Sequence, residues 1–214
     1  MPSVPSKERA WERCLRRGLD IVVAGAVLLL IAPLWVVLVL VIRLDSPGPA
    51  ILRQHRVGLE GAQFTLYKFR TMRSGGDDSS HRRLIEAELR GEDTARGGST
   101  KLHADSRITR SGRFLRRSSL DELPQLVNVL LGDMSLVGPR PCLPWEAEMF
   151  PHRYELRFAV RPGVTGLWQV RARSSVGTLT MLEMDLEYVM TRSLAGDVRL
   201  LLATVPALLR GGAR

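Results

Sequence analysis

Polarity is distributed unevenly along the chain. One apolar run, IVVAGAVLLLIAPLWVVLVLVI at residues 21–42, carries no charge and lies between Asp20 and Arg43. At about 1.5 Å of rise per residue, a helix of that length reaches across a ~30 Å hydrocarbon core. A soluble core helix would keep polar residues on some face, so the run predicts membrane insertion. A secretory signal is disfavoured: the stretch is long for one and no A-x-A site follows. Pro33, near its middle, removes a backbone hydrogen bond and clashes one turn back, which predicts a kink. Arginines flank both ends: Arg9, Arg13, Arg16 and Arg17 before, Arg43, Arg53 and Arg56 after. A simple span should show a bias to one side. Near-symmetric flanks fit a helix that dips in and returns to the same face; a single span with a tolerated proline is the alternative.

Beyond the run the pattern changes period. A Ser-Pro-Gly-Pro turn leads into AILRQHRVGL and AQFTLYKFRTM, joined between Gly58 and Gly61, which predicts a β-hairpin within residues 45–73. Residues 74–106 are polar and rich in Gly, Ser and Asp, a surface excursion with one helical pattern at HRRLIEAEL. Helical patterns follow at 107–117, 119–131, 143–158 and 178–191, and the last apolar segment, VRLLLATVPALLR, reads as a helix packed or lying on a membrane surface. The chain shows no internal repeat, heptad or low-complexity tract. The expected architecture is α+β, mostly α. Residues 1–44 form a membrane-inserted helix and residues 45–214 a catalytic domain with one hairpin and several short amphipathic helices.

Composition narrows the function. The 214 residues carry 31 Lys+Arg against 22 Asp+Glu, a formal charge of +9. That surplus implies an anionic partner: nucleic acid, anionic lipid or a phosphorylated substrate. Only Lys7, Lys68 and Lys101 are lysines; the remaining basic residues are arginines, whose planar fork suits phosphate oxygens. Two cysteines exclude a disulfide framework, and His55, His81, His103 and His152 have no zinc spacing.

The candidate chemistry lies in RITRSGRFLRRSSLDELPQLVNVLLGDMSLVGPRP, residues 107–141. Arg107, Arg110, Arg113 and Arg116 recur every third residue, a basic stripe on a helix. Such a stripe is either a solvated face or, lacking interleaved acids, a surface for an anion. Ser118 and Ser119 are candidate N-caps, with Ser119 and Glu122 at capping-box spacing; alternatively Pro124 is the first helical residue. Either places Asp121 and Glu122 at a helix N-terminus, where acids complement the dipole and where phosphate also binds. Adjacent carboxylates point about 100° apart on a helix, so they suit two jobs: a nucleophile, and a metal ligand or base. Pro139 and Pro141 stiffen the backbone around Arg140. RPGVTGLWQVRAR repeats the theme: Arg161 precedes a Pro-Gly turn, Gly163 and Gly166 permit close backbone approach, and Arg171 and Arg173 follow. Several arginine-bearing Gly/Pro loops together point to phosphate handling.

YKFRTM, SLDELPQLVNVLLGDMSLVGPRP and RPGVTGLWQV resemble the bacterial sugar transferase family, the monotopic polyprenyl-phosphate phosphoglycosyl transferases. The likeness runs over nearly the whole chain, in the family's minimal catalytic form. It implies transfer of a sugar-1-phosphate from a UDP-sugar to undecaprenyl phosphate, with release of UMP, at the start of exopolysaccharide, O-antigen or glycoconjugate assembly. It implies a bacterial inner-membrane enzyme with its active site on the cytoplasmic face. Its membrane helix would be re-entrant, broken at a Ser-Pro pair that reads Ala32-Pro33 here. The family's Asp-Glu dyad falls on Asp121 and Glu122, the aspartate forming a covalent phosphosugar intermediate. Its phosphate-contacting positions fall on Arg116 and Arg173, and its motif lysine on Lys68. Where members usually read QVNGR this chain reads QVRAR, so Arg171 and Ala172 replace Asn-Gly. Asp185, in EMDLEYV, aligns with a family acid and is expected to orient an arginine.

The physics is compatible with this chemistry. An anionic nucleophile approaching an anionic phosphate needs cations, and phosphoryl transfer is catalysed by positioning and cationic clamps. Mg²⁺ on the diphosphate with Asp121 or Glu122 in its shell, together with Arg116, Arg140, Arg161 and Arg173, would meet that need. The acceptor's phosphate sits at headgroup depth, where a basic surface also draws anionic lipid. A nucleic-acid partner is not expected: aromatics are 6% and no nucleic-acid motif is present. A catalytically dead adaptor is opposed by the intact Asp121-Glu122. A homodimer stays open.

Overall fold

The computed structural model describes residues 9–73, 79–92, 107–172 and 176–209. Helix α1, Ala10–Asp45, has 36 residues and contains the whole apolar run. Helical backbone continues through Ala32 and Pro33. The break expected there is therefore not an interruption of the helix. Proline deletes one N–H bond, and a helix this long retains turns on both sides that hold the backbone in register.

Two apolar clusters receive α1 at different heights. Ala24, with Val23, Val27 and Leu28 beside it, packs into a core built from Leu66, Leu126, Val129, Met134, Leu136 and Val189. Leu38 and Ile42, with Trp35 and Val39, pack against Ala50, Phe69 and Leu115. Between them Leu29 and Leu30 are 80% and 81% exposed, so the middle of the run is bare of protein.

The expected hairpin is present. Strands β1, Ile51–Val57, and β2, Gln63–Phe69, pair antiparallel from Ile51 opposite Phe69 to Val57 opposite Gln63. Helix α2 is Ser79–Leu89 and α3 is Arg110–Ser118. A 3₁₀ turn, Leu120–Glu122, separates α3 from α4, Gln125–Leu131. Asn128 of α4 extends the edge of β2: it accepts from Tyr67 N at 3.0 Å and donates to Thr65 O at 2.7 Å. Strand β3, Ser135–Val137, then runs parallel to β4, Gly163–Thr165, a pairing the sequence did not announce. Helix α5, Pro144–Met149, and a 3₁₀ stretch, His152–Ala159, occupy the expected 143–158 helix. Helices α6, Leu167–Arg171, α7, Thr178–Thr191, and α8, Leu194–Leu209, complete the described chain.

The polar excursion proves to be structural where it is described. Glu88 of α2 is buried and accepts from Thr178 N at 2.8 Å and from the Thr178 hydroxyl, capping the start of α7. His81 and Arg82, about two turns earlier, meet Trp145 of α5, His81 edge to face and Arg82 over the ring. The helix expected at HRRLIEAEL is present, and its two docking points are what the polar pattern did not show.

Candidate active site

The site is assembled from three segments that the fold brings around one turn. Ser118 and Ser119 end α3 rather than begin a helix. The Ser118 hydroxyl donates back to Phe114 O at 2.8 Å, and Ser119 takes the left-handed conformation at φ 58°. No side-chain cap from Ser119 forms, so the expected capping box is absent. A left-handed serine costs roughly 1–2 kcal/mol. It reverses the chain so that Leu120, Asp121 and Glu122 form a single tight turn. Leu120 and Leu123 on either side of the acids pack into the cluster that holds Leu38 and Ile42 of α1. The pair is thus seated on the apolar cluster that also receives α1, by side chains that are each worth up to about 1.5–3 kcal/mol when fully buried. Pro124 immediately precedes α4, close to the alternative reading, and the acids stand one turn before that helix.

The two carboxylates face different surroundings. Asp121 is buried, and its carboxyl is pushed up to about 6, chiefly by loss of solvent and then by the neighbouring Glu122 charge. Lys68, Arg140 and Arg116 pull in the opposite direction. Glu122 is partly exposed and accepts from Arg140 Nη1 at 2.9 Å. Lys68 shares its face of β2 with Leu66, a strand's period of two placing both on one side. Desolvation lowers its ammonium from the ordinary lysine value while the Asp121 charge supports it. Arg116 reaches Met72 Sδ at 3.7 Å. Gly112 allows that approach of α3: a Cβ there would lie 2.1 Å from Thr71 O. Asp121, Glu122, Lys68, Arg116 and Arg140 thus form one cluster.

A family model described as bacterial sugar transferase matches residues 11–211. The chain belongs to that family. It is 43% identical over 202 residues to the UDP-glucose:undecaprenyl-phosphate glucose-1-phosphate transferase of Caulobacter vibrioides, covering 91% of this chain and 69% of that protein. It is 36% identical to the exopolysaccharide production protein ExoY of Rhizobium meliloti, over 90% of this chain and 84% of the relative. With the undecaprenyl-phosphate galactose phosphotransferase of Salmonella typhimurium it shares 40% identity over 92% of this chain but only 41% of that longer protein.

The remaining residues that the sequence of this sugar transferase singled out lie elsewhere. Arg161 is exposed and donates through Nε to Gly132 O at 2.8 Å, at the end of α4. Arg173 lies outside the described residues. Arg110 and Arg113 are exposed on α3, while Arg107 precedes the helix, so the stripe holds only in part. Asp185 does orient an arginine: its Oδ2 accepts from Arg157 Nη2 at 2.7 Å and Nε at 3.2 Å, with both side chains buried. Sequence reasoning passed over Arg157 and counted Arg56 only as a flank of the apolar run. Arg157 sits in a segment that reads as an ordinary polar helix, and nothing in the local pattern marks it as buried.

Proposed function

We propose that the chain transfers a sugar-1-phosphate from a UDP-sugar to undecaprenyl phosphate, with Asp121 as nucleophile. The observation that carries this is a buried carboxylate in one turn with Glu122 and with Lys68, Arg116 and Arg140 acting on it; burial raises it to about 6, still below neutral pH. The relatives' names supply the substrate class: a UDP-linked hexose and a polyprenyl phosphate. A carboxylate oxygen of Asp121 bonds to the sugar-linked phosphorus as that atom's bond to the bridging oxygen breaks. The electron pair leaves with UMP, and an aspartyl phosphosugar remains. A phosphate oxygen of the lipid then attacks the same phosphorus, and Asp121 departs as the free carboxylate. Lys68, Arg116 and Arg140 offset the negative charge that both steps concentrate.

Among the described residues no cluster of three or more His, Cys, Asp or Glu could enclose a metal. Two adjacent carboxylates still fit Mg²⁺, which binds through one or two protein carboxylates and completes its shell with phosphates and water. Asp121 or Glu122 would hold it, and it would supply charge neutralisation on the diphosphate.

The membrane reading is a re-entrant α1 with the catalytic body at the cytoplasmic face. Its support is that one folded body holds both ends of the apolar run. Before the run, Arg17 donates to Val129 O and Leu130 O, and Asp20 accepts from Leu136 N at 2.8 Å. After it, Asp45 accepts from Ser111 N at 2.8 Å, and Arg70 donates to Ser46 O at 2.6 Å. A bilayer crossed between those anchors would have to part the body that joins them.

Purified protein in liposomes, given UDP-sugar and Mg²⁺ without acceptor, should gain the mass of a phosphosugar on the peptide carrying Asp121 and Glu122. Asp121→Asn should abolish both that mass and UMP release. Release at the wild-type rate from Asp121→Asn would refute the assignment.

A further inference from the structure

The segment Pro139–Cys142 is anchored at four successive carbonyls by three elements: β4, the His152–Ala159 stretch and β1. Pro139 O accepts from Gly163 N at 2.8 Å and Cys142 O from Val57 N at 2.9 Å, both backbone bonds. Arg140 O accepts from Arg157 Nη2 at 2.8 Å, and Pro141 O from Arg56 Nη1 at 3.1 Å. The two central anchors are side chains, and each has an acid beside it. Arg157 is gripped by Asp185. Arg56 lies 3.7 Å from Glu146, whose other role is to accept from Leu143 N at 2.6 Å.

Arg157 is built for this position. Its guanidinium stands over Phe150 at 5.1 Å and Phe158 at 5.4 Å, so ring contacts restrict it as well as the acid. Its Nη2 is shared between Asp185 and Arg140 O, which couples the acid's position to that peptide. A lysine has one nitrogen and cannot present two aligned donors while keeping a planar face to the rings. Proline on both sides of Arg140 leaves its peptide little rotation, so fixing that carbonyl limits where the Arg140 side chain can go. That side chain ends on Glu122, the residue beside Asp121.

Resting on the reading of Asp121 as nucleophile, we propose that Arg157 and Arg56 are positioning residues. They clamp the Arg140 and Pro141 carbonyls and so hold the Arg140 guanidinium against Glu122 and within reach of Asp121. Neither touches the reacting phosphorus. Charged groups acting on Asp121 come from every side of the turn: Glu122 beside it, Lys68 from β2, Arg116 from α3 and Arg140 from the loop after β3. Loosening Arg140 takes one of three cations out of place, so the negative charge that builds up during transfer should be less well offset.

The test is UMP release in liposomes at one fixed pH, with thermal unfolding in detergent beside it. Wild type, R157K, R56K, R140A, R157K/R140A and R56K/R140A are compared for kcat and KM. R157K and R56K should each lower kcat about tenfold or more with KM for the UDP-sugar changed less than about threefold, and neither should lower it further on the R140A background. In unfolding, the coupling between R140A and E122Q should shrink when R157K or R56K is present. An unchanged kcat in both lysine variants, or a loss that survives intact on R140A, overturns the proposal. Should R157K not fold, R56K and R56K/R140A decide by the same criteria. A wild type that releases no UMP refutes the proposed function, while the coupling of R140A with E122Q in unfolding still judges the clamp.

Discussion

Arg140 donates to Glu122 across 2.9 Å, one residue from Asp121. The acid beside the proposed nucleophile is therefore already partly neutralised. Without that pairing two carboxylates in one turn would repel each other and an incoming diphosphate together.

Removing this cation has a calculable direction. Arg140→Ala should lower the rate of UMP release on the order of 10²-fold, the usual effect of deleting one preorganised donor to developing charge. Arg140→Lys should recover only part of the rate, because an ammonium cannot match the fork. Rates for both variants at saturating UDP-sugar check this; full activity of Arg140→Ala would show the pair to be a surface ornament.

The pH dependence follows from Asp121. Its carboxyl is raised to about 6 in the folded protein from an ordinary 3.8. The attacking form is the carboxylate, so UMP release should climb about tenfold per pH unit below 6 and level off above it. The stability effect has the opposite sign. Between 3.8 and about 6 the native state binds the extra proton, so the contribution of Asp121 to stability falls as pH rises through that window. At neutral pH the burden is on the order of 2–3 kcal/mol. Relative to wild type, Asp121→Asn should thus gain stability on going from pH 4 to pH 7.5, measured as the shift in unfolding midpoint.

Topology gives a third test. If α1 dips in and returns, a single cysteine placed near residue 2 and another near residue 48 should both resist a membrane-impermeant maleimide in intact cells and react after lysis. Labelling of the residue 2 site from outside would establish a span instead. The background requires Cys14→Ser, since Cys14 is exposed.

The parallel β3–β4 contact gives a fourth. A Cβ on Gly163 would lie 2.0 Å from Gly138 N and 2.4 Å from Thr165 O, both backbone atoms that cannot swing away. Gly163→Ala should force the strands apart and cost more than about 3 kcal/mol or prevent folding. Gly18→Ala in α1, where nothing lies within 4 Å, should be neutral or stabilising by up to about 1 kcal/mol. Unfolding curves of the two variants provide the comparison.

The sequence by itself determined the apolar helix, the hairpin and the identity of the acids. Each is written in a local pattern: an uncharged run, period-two strands around a glycine turn, and a motif whose residues are neighbours in the chain. Lys68 and Arg116 could be joined to Asp121 only through resemblance, because nothing in spacing shows that β2 and α3 meet at one turn. Tertiary structure alone decided that Ser119 adopts a left-handed turn, that α2 caps α7 through Glu88, and that Arg157 rather than Arg161 supports the Arg140 peptide. These rest on contacts between residues far apart in the chain. A buried arginine and a solvated one look the same until the fold chooses which carbonyl each will meet.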